Sequence, residues 1–130
     1  VLMTRFQGDL AALMLACATG ELAGQTAAFA PETALTVVMA AKGYPGTPEK
    51  GGAIDLGEAD GAGAKVFHAG TAMKGGQLVA NGGRVLNVTA SGANVTEAKA
   101  AAYEAVAKVD FASGFYRSDI GWKEVAREGS

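Results

Sequence analysis

Glycine most tightly limits what this chain can fold into, at nineteen of 130 residues, about twice the ordinary ~7% share. That much glycine favours tight turns and close backbone approaches over long helices. The glycines cluster at Gly43 to Gly52, Gly57 to Gly63, Gly75-Gly76 and Gly82-Gly83. Short apolar segments lie between them, which is the pattern of strands separated by turns.

Ala34 to Ala41 contains Leu35, Thr36, Val37 and Val38 without interruption, and predicts a strand covered on both faces. It runs into Lys42-Gly43-Tyr44-Pro45-Gly46-Thr47-Pro48, where two prolines and two glycines rule out regular structure and predict a shaped loop. Ala53 to Leu56 reads as a short strand and Gly57 to Ala64 as a turn region. Lys65 to Met73 alternates loosely around Val66, Phe67 and His68, and Gln77 to Ala80 follows across the hairpin connection Lys74-Gly75-Gly76. After Asn81-Gly82-Gly83, the segment Arg84 to Ala90 carries Val85, Leu86 and Val88. Three successive strands joined by tight turns predict an antiparallel sheet.

Two helices are expected. Asp9 to Ala18 places Leu10, Leu13, Met14 and Cys17 at helical spacing, with Gly20 as its stop. Asn94 with Glu97 three residues later has the form of a capping box. It precedes a stripe of small side chains, Ala98, Ala101, Ala102, Ala105, Val106 and Val109, that lets a helix lie close against a sheet. The aromatics Phe111, Phe115, Tyr116 and Trp122 predict a tail that folds back and packs. Pro31 ends the connection from Gly24 and marks a boundary between residues 1–30 and 31–130.

With 49% apolar and 18% charged residues, the composition is that of one ordinary domain with a real core. Eleven basic and thirteen acidic side chains are intermixed, so no block can neutralise a run of phosphates and nucleic acid is not an expected partner. The lone Cys17 cannot form an internal disulfide, and a reducing compartment fits best. No window approaches the ~18 consecutive apolar residues of a membrane span. Leu10 to Ala18 lacks the basic flank of a signal peptide. The chain opens at Val1 inside an apolar segment, which reads as a cut.

One histidine, one cysteine and no carboxylates at ligand spacing give no dedicated zinc or iron site, and a catalytic triad would have only His68 as its base. His68 reads more simply as a histidine satisfied by local hydrogen bonds. Neither GxxxxGK[ST] nor a strand-to-helix GxGxxG is present. Two places suit an anion. Lys50 follows the Gly43-Tyr44-Pro45-Gly46 loop and precedes Gly51-Gly52, a cation beside open backbone N–H groups. Arg84 follows Gly82-Gly83 at a strand start, where its fork can grip a phosphate or carboxylate. An ordinary glycine-proline loop and a plain surface arginine fit the same residue types.

Five blocks go further. Val38-Met39-Ala40-Ala41-Lys42-Gly43-Tyr44-Pro45-Gly46, Glu49-Lys50-Gly51, Val66-Phe67-His68-Ala69-Gly70-Thr71-Ala72, Leu78 through Ala90, and Phe115-Tyr116-Arg117 with Asp119-Ile120-Gly121-Trp122 closely resemble the phosphoribosylamine-glycine ligase family, in order, over roughly residues 1 to 122. Thr47-Pro48 and Ser118 depart from that pattern at loop and tail positions. The resemblance implies the carboxy-terminal part of a cytoplasmic ATP-grasp ligase. In this family, ATP with magnesium or manganese activates glycine as an acyl phosphate, and 5-phosphoribosylamine displaces the phosphate to give glycinamide ribonucleotide.

The resemblance further implies an α+β fold: a small, mainly antiparallel sheet of the barrel-sandwich-hybrid kind with a packed C-terminal helix, preceded by the last helix of the ATP-grasp domain in residues 1–30. By the same resemblance the metal ligands, the ATP site and all catalytic groups lie outside this chain, in N-terminal and ATP-grasp domains that would be its partners. The chain alone is then expected to be inactive and to bind no cofactor. Lys50, Gly82, Gly83 and Arg84 are the expected contacts to the ribose phosphate. Two other readings stand beside this one: a packing domain with no substrate contact, and a biotinyl- or lipoyl-type carrier, for which Lys74 at a hairpin tip lacks methionines on both sides.

Overall fold

The computed structural model describes residues 1–61 and 63–130. In chain order the elements are α1 (Leu2–Arg5), β1 (Phe6–Gln7), α2 (Leu10–Thr19), β2 (Ala28–Phe29), β3 (Thr33–Ala41), β4 (Ala64–His68), β5 (Thr71–Lys74), β6 (Gln77–Ala80), β7 (Arg84–Gly92), α3 (Val95–Ala107), β8 (Gly114–Tyr116) and α4 (Trp122–Glu128). No helix among the described residues is long and apolar enough to cross a membrane.

The framework is a four-stranded sheet in the order β4-β7-β3-β8, antiparallel at every pairing. Strand alternation sends Leu35, Val37 and Met39 of β3, Leu86, Val88 and Ala90 of β7 and Val66 of β4 to one face. Those residues are buried together with Ala98, Ala102, Ala105 and Val106 of α3. The small side chains of α3 are what allow its backbone to lie against the branched residues of the sheet. The opposite face carries Thr36, Val38, Phe67 and Asn87, all half-buried. The expected strand from Ala34 is thus fully covered on one face only. Over the other face lie the first residues of the chain, and there Thr36 Oγ1 and Thr89 Oγ1 share a 2.6 Å hydrogen bond.

The α+β arrangement with antiparallel pairing and a packed helix matches the expectation. The sheets are open, with no barrel closure. The three expected successive strands are not a simple meander: the chain breaks at Ala69-Gly70, β5 and β6 form a separate two-stranded sheet, and β7 returns to lie between β4 and β3. Ala53 to Leu56 forms no ladder, only bridges from Ala53 to Val79 and from Asp55 to Asp110.

Local chemistry sets the helix ends. Asp9 accepts a hydrogen bond from the Ala12 amide, and Gly20 closes α2 in the left-handed conformation. The ten residues of α2 carry no charge and only Ala16 is buried. A two-stranded ribbon, β1 with β2, closes the α2 segment, stapled by the edge-on rings of Phe6 and Phe29 and by two hydrogen bonds from Arg5 to the Ala30 carbonyl.

Asn94 caps α3 through the Glu97 amide, and the Glu97 carboxylate reaches back to the Ala93 amide, one residue beyond a strict capping box. A second cap comes from far along the chain: Glu128, at the end of α4, accepts from the Val95 and Thr96 amides and the Thr96 hydroxyl. Of the tail aromatics only Phe111 is buried, whereas Phe115, Tyr116 and Trp122 remain 42–54% exposed. The tail is held instead by Tyr103 of α3, whose hydroxyl donates to the Arg117 carbonyl and accepts from the Ile120 amide.

The hydrogen bond from Thr96, followed by that from the Val95 amide, holds the Glu128 carboxyl below its ordinary value. A group whose pKa is depressed on folding contributes stability above its unfolded pKa and loses it as pH falls through the folded value. Glu128→Gln is therefore expected to speed amide exchange at Val95 and Thr96 near neutral pH, with the difference from the parent closing as the pH drops through the acid range. A difference that persists unchanged at the acid end would show that the carboxylate charge is not what caps α3.

Candidate functional site

The site begins with an irregularity in the sheet. β3 and β7 pair regularly from Thr33↔Gly92 to Met39↔Leu86, but the next pair is Ala40↔Arg84, so Val85 is an extra residue on β7. A bulge of this kind shifts the alternation by one residue. Strict alternation would turn Arg84 to the same face as Leu86, into the core beneath α3. The bulge brings it to the face of Ala40, Val38 and Thr36 instead, while Val85 and Leu86 are both fully buried.

On that face Arg84 stands between two cavities. One, about 590 Å³, is lined by Tyr44, Ala69, Gly70, Gly83, Arg84 and Asn87. The other, about 250 Å³, is walled by Thr36, Val38, Ala40, Phe115, Tyr116, Arg117 and Ile120 as well as by Tyr44 and Arg84. Arg84 forms no ion pair and no side-chain hydrogen bond with the described residues. Arg117, by contrast, is gripped at both nitrogens by Asp119, Nε to Oδ1 at 2.8 Å and Nη2 to Oδ2 at 2.6 Å. This bond raises the pKa of Arg117 and lowers that of Asp119. Of the two guanidinium groups, Arg84 is the one left open to a ligand.

The glycines beside Arg84 are packed too closely for any side chain. A Cβ on Gly70 would lie 2.6 Å from the Arg84 carbonyl oxygen and 2.9 Å from Gly82 Cα. At this crossing the Asn81 amide donates to Gly70 O, and the Ala69 and Gly70 amides both donate to Val85 O. The break between β4 and β5 thus clamps the start of β7. His68, at the end of β4, is exposed, with Nδ1 3.0 Å from Thr71 Oγ1, the local partner expected of it.

Of the four residues expected at a phosphate, the structure brings Gly82, Gly83 and Arg84 to this one place. Lys50 is exposed and does not line the cavity. Its neighbours are anchored, Glu49 N to Lys42 O and Gly51 N to Ala80 O, which fixes the loop beside the end of β6. Sequence reasoning missed Tyr44, Gly70 and Asn87 as lining residues. Tyr44 and Gly70 lie inside family-like blocks, and that was the available signal; nothing local marks Asn87.

Fold and site together define a small α+β domain whose open antiparallel sheet presents an arginine, unpaired among the described residues, at a glycine-edged cavity. This is the build of a domain that receives an anionic group. The chain belongs to the family described as phosphoribosylglycinamide synthetase, C domain, which it matches over residues 34–123.

Among its relatives are the phosphoribosylamine--glycine ligases of Mesorhizobium japonicum, 58% identical over 129 residues, and Rhizobium meliloti, 60% identical over 128 residues. Each match covers 98% of this chain and 30% of the relative. The chloroplastic enzyme of that name from Arabidopsis thaliana is 47% identical over 132 residues, covering 98% of this chain and 25% of that protein. The crystal structure of phosphoribosylamine--glycine ligase from Thermotoga maritima matches with a TM-score of 0.61 and 49% identity, over 66% of this chain and 21% of the other. The chain thus spans under a third of the length of these relatives.

Gly70→Ala is expected to destabilise the protein by about 1–3 kcal/mol in urea denaturation, the usual cost of overpacking where the neighbour is backbone. A loss below about 0.5 kcal/mol would show that the crossing is looser than described.

Proposed function

We propose that this domain forms the carboxy-terminal wall of the substrate cleft in a phosphoribosylamine-glycine ligase, and that Arg84, flanked by Gly82 and Gly83, binds the 5-phosphate of phosphoribosylamine. One observation carries the reading: a sheet bulge turns a guanidinium without a protein partner out of the core and into a cavity edged by bare backbone. Guanidinium matches phosphate in a two-pronged hydrogen-bonding geometry, and glycine lets the ligand come near backbone N–H groups. Lys50, on an anchored loop outside the cavity lining, is a second cation for the same anion, at longer range.

In the reaction of the intact ligase, glycine carboxylate attacks the γ-phosphorus of ATP, releasing ADP and forming glycyl phosphate. The amine of phosphoribosylamine then attacks the glycyl carbonyl, phosphate leaves, and the amide of glycinamide ribonucleotide is formed. ATP and magnesium or manganese belong to that reaction. The described residues do not suit the metal, because no three His, Cys, Asp or Glu side chains among them come together to hold one. No step through ATP or the metal is derived from this chain. What its residues supply is orientation: the phosphate anchored at Arg84 fixes the far end of the amine substrate, and positioning is a large share of the barrier to such a transfer.

The uncharged helix α2, with Met14 64% and Leu15 65% exposed, fits residues 1–30 as the edge of the ATP-grasp part of the same polypeptide, in a cytoplasmic enzyme. A helix apolar on all sides is one that another part of the protein covers. A role in packing alone leaves the unpaired Arg84 unexplained. A carrier role would isolate Lys74 in a module of its own, whereas the family match runs through it.

In the intact ligase, Arg84→Ala is expected to raise the KM for phosphoribosylamine about 10- to 100-fold, the equivalent of a charge-assisted hydrogen bond of about 1.5–3 kcal/mol, with the KM values for ATP and glycine nearly unchanged. Lys50→Ala should shift the same constant less. An unaltered KM for phosphoribosylamine in Arg84→Ala removes that residue from the site.

A further inference from the structure

The geometry points to Tyr44 as the positioning residue for Arg84, acting through Gly83. This rests on the reading of Arg84 as the phosphate's partner and adds to it the group that holds the arginine ready. Tyr44 and Arg84 are the two residues that line both cavities, so the tyrosine stands beside the arginine at the partition between them. A Cβ built on Gly83 would lie 2.4 Å from Tyr44 Cδ2 and 3.0 Å from Cε2. The ring is therefore seated flush on the backbone of the residue that precedes Arg84, in space that only glycine leaves free.

The tyrosine is itself held firmly. Its amide donates to the Ala41 carbonyl at 3.1 Å, and the Ala41 amide donates to the Gly83 carbonyl at 2.8 Å, so the turn bearing Tyr44 and the start of β7 are joined by two successive backbone bonds. At the head of that turn Gly43 has φ +88°, and a Cβ there would meet the Thr47 carbonyl oxygen at 2.1 Å. Such a turn has little room to relax. The Tyr44 hydroxyl makes no hydrogen bond to the described residues, which leaves the ring, rather than the phenol, as the part that acts.

An arginine on an open strand start samples many rotamers, and ordering it on binding costs free energy that preorganisation removes in advance. The ring of Tyr44 restricts the backbone on one side of Arg84 and stands against its side chain. It thereby confines the guanidinium before the substrate arrives.

The test uses the intact ligase with Tyr44→Ala, Tyr44→Phe, Gly83→Ala and Arg84→Ala, reading kcat, the KM of each of the three substrates, and the melting midpoint. Tyr44→Ala and Gly83→Ala are expected to raise the KM for phosphoribosylamine about tenfold, as misplacement of a positioned group does, while kcat and the other two KM values stay within about twofold. Tyr44→Phe keeps the ring and is expected to restore the parental KM.

If Arg84→Ala raises that KM while Tyr44→Ala and Gly83→Ala do not, the role of Tyr44 is overturned and the phosphate site stands. If Arg84→Ala has no effect, both fall. A drop in melting midpoint with proportionate loss toward all three substrates would also overturn the proposal, because it assigns Tyr44 to stability alone.

Discussion

The extra residue in β7 decides what this domain can do. Two nine-residue strands, β3 and β7, zip together with Val37, Val85, Leu86 and Val88 essentially excluded from water, and a regular ladder would have continued by pointing Arg84 into that core. An unpaired guanidinium buried under α3 would cost several kcal/mol. Inserting Val85 as a bulge resolves the conflict. The valine goes inward with Leu86, and the arginine comes out on the face away from the helix, beside Tyr44 and the glycine crossing.

The rest of the fold supports that bulge. The apolar face beneath α3 supplies the burial that makes the β3–β7 register unambiguous, since a slip by one residue would expose every core side chain of the strand. The Gly70–Gly82 crossing then clamps the strand start from one side, and the Tyr44 turn clamps it from another. These contacts are backbone to backbone or ring to backbone, and neither kind yields as a flexible side chain does. Rigidity is concentrated where an anionic substrate would need a fixed partner, and the open sheet leaves that partner accessible.

Much of the architecture was readable from residue order. Asp9 and Gly20 bound α2, Asn94 starts α3, and the small-residue stripe from Ala98 to Val106 is the face that packs, because capping and helical periodicity are short-range physics. The hairpin at Lys74-Gly75-Gly76 and the irregular loop after Lys42 were legible for the same reason. Arg84 and its two preceding glycines stood out as a chemical pattern without a direction, since Arg84-Val85-Leu86-Asn87-Val88 looks like an ordinary strand and nothing within it announces a bulge.

What was not legible depends on residues far apart in the chain. Tyr44 finds Gly83, Gly70 finds Gly82 and Glu128 finds the start of α3 only once the sheet has formed. The aromatic tail was misjudged because size and apolarity suggest burial, whereas Phe115, Tyr116 and Trp122 stay largely open and Tyr103 anchors that segment through hydrogen bonds instead.

The most direct measurement is a crystal structure of the intact ligase with glycinamide ribonucleotide bound. The account predicts the 5-phosphate within hydrogen-bonding distance of the Arg84 guanidinium and against the Gly82-Gly83 backbone, with Val85 bulged inward. A phosphate held elsewhere in the cleft, with Arg84 free in solvent, would contradict it.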